Sequence, residues 1–233
     1  MSLTDRITVY KEVLKRQKIR RSMIHTRLLW RRKNPHNYTF PVTTDLEPSF
    51  PSDKVHVGNY TYGGIQCIQY TGDEKGLFIG HFCSIANGVK FLLGGDHDYY
   101  KLSTYPFEAK IFSIPEAKSK GPIIVEDDVW IGEDAIILSG VTLRRGTVVA
   151  ARSVVTKSSE PYSIIAGSPA RIVKYRFTQE IIDKLSMIDY SKLDKEFILK
   201  NRSLLQQEIN SGNVDCISDA FLTYQEKYQA KTR

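Results

Sequence analysis

The chain has 233 residues, 41% hydrophobic and 25% charged, with a formal net charge of +7. That length holds one large domain or two small ones with a real core, and no apolar run of about 18 residues is present to span a membrane. Cys67, Cys83 and Cys216 are scattered without a CxxC pair, which argues against a disulfide framework and a zinc site and fits a reducing cytoplasm.

The first segment concentrates the charge. Residues 1–33 hold eleven Lys/Arg and two acidic residues, a balance of +9, and the rest of the chain carries −2. Basic residues continue there without an apolar h-region, so no signal peptide is expected. Val13, Leu14, Ile24, Leu28 and Leu29 are spaced for a helix. A basic amphipathic helix is suited to anionic lipid or nucleic acid, and membrane-surface contact is one expectation. The plainer expectation is an arm that lays its apolar stripe on the main domain. No nucleic-acid motif accompanies it, so nucleic acid is not an expected partner.

From Val125 an aliphatic residue recurs every six positions: Val125, Ile131, Ile137, Leu143, Val149, Val155. Four residues after each of the first five stands a small or short side chain: Val129, Ala135, Val141, Thr147, Ser153. The same frame starts earlier at Ile79, Ile85 and Phe91, and residues 55–64 read as a degenerate first turn. A period of six fits neither an amphipathic helix nor an alternating strand. It fits a solenoid of short parallel strands turned at regular corners, in which stacked turns bury one continuous core. An ordinary β-sandwich would need irregular strand lengths and wider turn spacing. The two tracts are out of phase, because Ile79 and Val125 lie 46 residues apart. Residues 97–121 are therefore an excursion loop, and a long loop in a compact domain is usually functional. That loop opens on His97 between Asp96 and Asp98, followed by Tyr99, Tyr100 and Tyr105.

After the solenoid, residues 178–188 predict a helix with Thr178 as N-cap. Leu193 to Ile209 predicts a second, and a last segment runs to Tyr228. These helices are expected to cap the solenoid end, which repeat folds need. The chain thus divides into a basic helical arm and lead-in (1–50), the solenoid (51–176) and a helical region (177–233).

A histidine opening an extended loop, then STYPF, GPIIVEDDVWIG, VVTK and SIIAGSPARIVKYRF in that order, resembles the xenobiotic acetyltransferase branch of the hexapeptide-repeat acyltransferases. That branch includes type B chloramphenicol and streptogramin acetyltransferases and O-acetyltransferases of surface polysaccharides. The likeness covers about residues 50–190. It implies a mainly β fold, a left-handed parallel β-helix, with acetyl-CoA as co-substrate and a homotrimer whose active sites lie between subunits. By motif, His97 takes the role of general base, a task suited to an imidazole with pKa near neutrality. Trp130, Ala151, Thr156, Lys157, Arg171 and Lys174 fall on the coenzyme path, the cations near its phosphates. Tyr62 falls near the acceptor, and Asp98 or Asp96 either orients the base or contacts that acceptor.

Three departures concern the coenzyme groove. Arg145 and Arg152 stand where the family usually has glycine, so strain is expected unless the turns differ. Glu133 stands where relatives often carry a small polar residue. Residues 188–192, IDYSK, replace the paired tryptophans of many members, which separates the chain from the best-known antibiotic-modifying ones. The resulting expectation is a cytoplasmic O-acetyltransferase acting on a sugar hydroxyl, such as a surface-polysaccharide precursor, with an antibiotic as the alternative acceptor. Two other classes share the scaffold: a non-catalytic β-helix, and a zinc carbonic anhydrase. The latter needs three histidine ligands, and the relevant region offers only His81 and His97. No metal is expected.

Overall fold

The computed structural model describes residues 3–43, 49–70 and 75–231. A long helix, α1 (Leu3–Lys33), leads into a short strand, β1 (Tyr38–Pro41). The solenoid follows as β2 (Val55–Val57), β3 (Tyr62–Ile68), β4 (Leu77–Ile79), β5 (Ser84–Ile85) and β6 (Lys90–Leu92). A loop carrying the five-residue helix α2 (Phe107–Ile111) interrupts it. It resumes as β7 (Ile123–Val125), β8 (Trp130–Ile131), β9 (Ile136–Leu138), β10 (Thr142–Leu143), β11 (Val148–Val149) and β12 (Val154–Val155). A hairpin, β13 (Ser163–Gly167) and β14 (Ala170–Tyr175), ends it. Four helices close the chain: α3 (Gln179–Ser186), α4 (Lys195–Lys200), α5 (Arg202–Leu205) and α6 (Val214–Lys231). Among the described residues no helix is long and apolar enough to cross a membrane.

The coils form a three-sided prism. The first face holds β2, β4, β7 and β10, and the second runs β1-β3-β5-β8-β11-β13-β14. The third holds β6, β9 and β12, joined by the far end of β3, which bends from the second face into the third. Every strand pair is parallel except β13 with β14. The hexad aliphatics stack in register. Ile79 pairs with Val125, Ile85 with Ile131 and Phe91 with Ile137, and each ladder continues to Leu143, Val149 and Val155. All nine are buried, each side chain contributing about 1.5–3 kcal/mol of transfer free energy. Gly63 shows how tightly the coils stack. Its φ is +116°, and a Cβ there would lie 2.0 Å from the Ile85 carbonyl oxygen.

The first corner, between the first and second faces, has a repeated backbone conformation. Tyr60, Phe82, Asp128, Gly146 and Tyr162 occupy it in successive coils, all with φ between +54° and +67°. A left-handed non-glycine residue costs about 1–2 kcal/mol. Here the turn projects aromatic rings out of the prism, where they stack: Tyr60 on Phe82 at 4.9 Å, and Phe82 against Tyr190 at 5.8 Å. The C-terminal helices dock on this corner through Ile181, Ile182, Leu185, Ile188, Leu193, Phe197, Ile217 and Phe221, which share a buried cluster with Tyr162.

The C-terminal helices therefore cover a corner of the solenoid, whereas the sequence reading placed them over its end. At the N-terminal end Trp30 is 2% exposed and meets Phe50 edge-on at 5.3 Å. At the other end Ala170 of β14 packs on the core. Thr178 stands at the N-cap of α3 but makes no side-chain cap bond, while Asp194 caps α4 by accepting from the Phe197 N–H at 2.9 Å. The second predicted helix is split at Asn201 into α4 and α5.

The arm departs from expectation too. Its C-terminal end is anchored: Trp30 Nε1 donates to Thr39 Oγ1 (3.1 Å), Arg27 Nε to the Pro41 carbonyl (3.1 Å), and Arg31 to the Asn37 carbonyl. Val13, Leu14, Ile24, Leu28 and Leu29 are all exposed, so the apolar stripe is not laid on the domain.

Candidate active site

His97 stands where the loop leaves the third face, next to Asp96, which bridges to Lys118 on the returning strand of the loop. Its ring is exposed, and Nδ1 lies 2.7 Å from the Thr104 carbonyl oxygen. A carbonyl only accepts, so Nδ1 carries the hydrogen. The neutral ring then presents the Nε2 lone pair, the tautomer a proton acceptor needs. Nothing in the side-chain types marks Thr104 for this part, because the contact is made by its backbone.

The loop is braced by charge. Lys118 Nζ reaches Asp98 Oδ2 at 2.9 Å, Lys101 reaches Glu116 at 2.7 Å, and Lys120 reaches Asp96 at 3.1 Å. Asp98 also accepts from the Tyr100 N–H at 3.1 Å. The Lys118 ammonium, with that N–H, holds the Asp98 carboxyl below its ordinary range. Asp98 thus ties the two arms of the loop together beside His97. Tyr99, Tyr100, Leu102, Phe107, Ile111 and Phe112 stay exposed.

Below the loop root, the third corner continues through Ser139–Gly140 to Lys157–Ser159. Lys120 N–H donates to Ser139 Oγ (3.2 Å), and Thr142 N–H to Ser158 Oγ (2.9 Å). With coils about 4.8 Å apart, Lys157 lies two coils from the loop. Lys157 and Arg171 line one hollow of about 190 Å³ with Ser158, Ser159, Ile165, Ala170 and Ile172. Two cations facing one small hollow suit a phosphate. Thr156 is exposed beside Lys157.

The remaining coenzyme candidates lie elsewhere on the prism. Trp130, 57% exposed, stands on the outer second face in a register running Tyr62, Ser84, Trp130, Val148, Ile164, Lys174. Tyr62 and Trp130 therefore share a face two coils apart. Ala151 sits at the second corner, where its N–H nitrogen would be 2.6 Å from a Cβ on Gly132. A single protomer thus brings Lys157 and Arg171 together and places Tyr62, Trp130 and Lys174 in another line, with Ala151 at the second corner against Gly132.

The unusual arginines behave differently from one another. Arg152 takes the left-handed conformation (φ +58°) at the second corner, as Asp134 does one coil earlier (φ +57°), with its side chain 85% exposed and Nε 3.8 Å from Asp134 Oδ2. Glu133 contributes its carbonyl to the Arg152 N–H at 2.7 Å. At Arg145 no strain arises, because the left-handed residue there is Gly146. Arg145 instead reaches the C-terminal region, donating to the carbonyls of Ser186 (2.9 Å) and Ile188 (2.6 Å) and to Asp127 Oδ2 (3.3 Å). The Tyr190 ring lies 5.6 Å from its guanidinium carbon.

A cavity of about 740 Å³ is lined jointly by the first corner and the C-terminal helices, with Tyr38, Tyr60 and Tyr62 among its lining residues. His97 does not line it. Among the described residues no group of three or more His, Cys, Asp or Glu is placed to hold a metal ion. His81 Nδ1 accepts from the Asn59 N–H at 3.0 Å, and His36 Nε2 lies 3.0 Å from the Val57 carbonyl.

No family model matches the chain. It is 38% identical over 148 residues to a probable macrolide acetyltransferase of Lysinibacillus sphaericus, covering 60% of this chain and 81% of that protein. It is 34% identical over 165 residues to a chloramphenicol acetyltransferase of Klebsiella aerogenes, covering 62% and 79%. Among solved structures it is similar to a hexapeptide-repeat-containing acetyltransferase of Vibrio cholerae, with TM-score 0.49, 24% identity, and coverage of 70% of this chain and 90% of that one. With the sequence motifs in order and the coils stacked as those motifs require, the chain is an acetyl-CoA-dependent acyltransferase and belongs to the xenobiotic acetyltransferase branch of the hexapeptide-repeat acyltransferases.

Proposed function

We propose that the protein transfers the acetyl group of acetyl-CoA to a hydroxyl of a sugar or similar small molecule, in the cytoplasm, with His97 as general base. The observation that carries this reading is the hydrogen bond from Nδ1 to the Thr104 carbonyl, which leaves Nε2 as the proton acceptor. Nε2 takes the hydroxyl proton as the oxygen attacks the thioester carbonyl carbon. The carbon–sulfur bond then breaks, and the imidazolium returns the proton to the thiolate. An acetyl ester and free CoA thiol are formed, and no covalent enzyme intermediate is needed. General-base assistance of this kind is worth about 10²–10⁴-fold in rate.

Lys157 and Arg171 receive the phosphate end of the coenzyme, with Thr156 beside them. Ala151, Trp130 and Lys174 complete the coenzyme path in a homotrimer whose sites are shared between protomers. The exposed apolar side chains of the loop, Tyr100 and Leu102 foremost, support the same assembly. Tyr62 meets the acceptor, and Asp98 holds the loop in place around it. A sugar hydroxyl suits a base set on an exposed, ion-paired loop. The antibiotic reading is favoured by relatives named for macrolides and chloramphenicol.

The test is CoA-thiol release from acetyl-CoA across nucleotide-linked and lipid-linked sugars, chloramphenicol, macrolides and streptogramins. Turnover on sugars alone supports the proposal. Turnover confined to an antibiotic replaces the acceptor. Absence of both turnover and CoA binding sinks the enzymatic reading of the site.

A further inference from the structure

Helix α1 is weakly amphipathic as a whole, but one side of it carries a line of exposed apolar side chains, with Val13 and Leu29 exposed on its flanks. Ile19, Met23 and Trp30 fall on one side of the helix, and Trp30 is the buried anchor against β1 and Phe50. At about 100° per residue, Ile7, Tyr10, Leu14, Ile24 and Leu28 fall on roughly the opposite side. All five are exposed. Gln17 and Arg21 complete their line. Exposed Arg6 and Arg20 border this stripe on one flank, and Lys11 and Lys18 on the other.

We propose that α1 lies on the surface of an anionic bilayer, with Ile7, Tyr10, Leu14, Ile24 and Leu28 entering the boundary between headgroups and acyl chains and the flanking cations meeting lipid phosphates. Both parts of the pattern are needed for such a helix: an apolar face to bury, and basic residues at its edges whose long stems keep their charge at headgroup level. The 31-residue helix extends about 46 Å and is tied to β1 at its C-terminal end, so the outward face can lie flat while the prism stays in water. Charge decides between this occupant and a second copy of α1. The 3-and-4 spacing would also serve a coiled coil, but Lys11, Lys18, Arg6 and Arg20 would line both sides of that seam and repel one another. A surface of opposite charge removes that repulsion. The inference is independent of the acetyl-transfer chemistry.

The test is flotation of the full chain with vesicles of phosphatidylcholine, alone or with a one-third share of phosphatidylglycerol, at low and high salt. Two double variants accompany it: Leu14→Glu with Leu28→Glu, and Lys11→Glu with Lys18→Glu. Unchanged thermal midpoints establish that both fold. Wild type is expected to float only with anionic vesicles at low salt. Each double variant should lower partitioning at least tenfold, since each surface cation near an anionic leaflet is worth about fivefold. No flotation at low salt overturns the proposal. So does binding that the Leu→Glu pair leaves unchanged, which marks a purely electrostatic site such as one for nucleic acid. A fall in molecular mass in that variant, without vesicles, assigns the face to a second copy instead.

Discussion

At the first corner of the prism three of five left-handed positions are aromatic and face the C-terminal helices; at the third stand the root of the His97 loop and the exposed Lys157. Both corners come from the same six-residue repeat. At the first, five successive left-handed residues turn Tyr60, Phe82 and Tyr162 outward, and the C-terminal region buries Tyr162 and half-covers Phe82. At the third, the repeat is broken after β6 so that His97 can be set beside the solenoid, and the same edge presents Lys157 two coils below. One corner has become a second hydrophobic core. The other has kept its polar groups where a substrate can reach them.

The contrast can be broken from the covered side first. Tyr162 is 1% exposed, so Tyr162→Ala should cost about 3–5 kcal/mol, read as a lower denaturant midpoint with early loss of helical signal. Arg145→Ala should cost about 2 kcal/mol, because it removes two charge-assisted hydrogen bonds between the coil and the C-terminal region, and one to Asp127 within the solenoid, while leaving the repeat core intact. On the open side, Lys157→Ala and Arg171→Ala should each raise the KM for acetyl-CoA several-fold, about 1 kcal/mol, with little change in melting temperature.

The smallest effect sharpens the covered corner. The Tyr162 hydroxyl is buried without a hydrogen-bond partner among the described residues. Tyr162→Phe should therefore stabilise the fold by about 1 kcal/mol. Burial pushes the Tyr162 pKa up to about 12 from an ordinary 10. An unfolded phenol ionises first, so the stability this group contributes is complete below pH 10 and is lost as pH rises towards 12. The phenylalanine variant should lack that part of the alkaline decline in a melting-temperature series.

Much of this molecule can be read from its sequence, for a physical reason. Each hexad aliphatic points inward whatever its neighbours do, so the period alone identifies Val125, Ile131, Ile137 and their partners as core. The loop is legible because it puts the two tracts out of phase. Corners are harder. Glycine signals a left-handed residue, but Tyr60, Phe82 and Arg152 adopt that conformation without the signal, while Arg145 sits where strain is expected and has none, its turn closing on Gly146. The docking of α3 to α6 depends on rings that only such a backbone turns outward, so the sequence reading sent those helices to the wrong place. His97 is marked by its setting, whereas Thr104, which fixes its tautomer, acts through a carbonyl that every residue has.

The central claim is tested most directly by the rate of thiol release from acetyl-CoA for wild type and His97→Ala, on whichever acceptor turns over, with CoA binding and thermal midpoint measured alongside. A fall of about 10²–10⁴-fold in kcat, with binding and fold retained, is the result expected of a general base. A kcat left within a few-fold of wild type would remove His97 from the chemistry and leave the loop as a structural element.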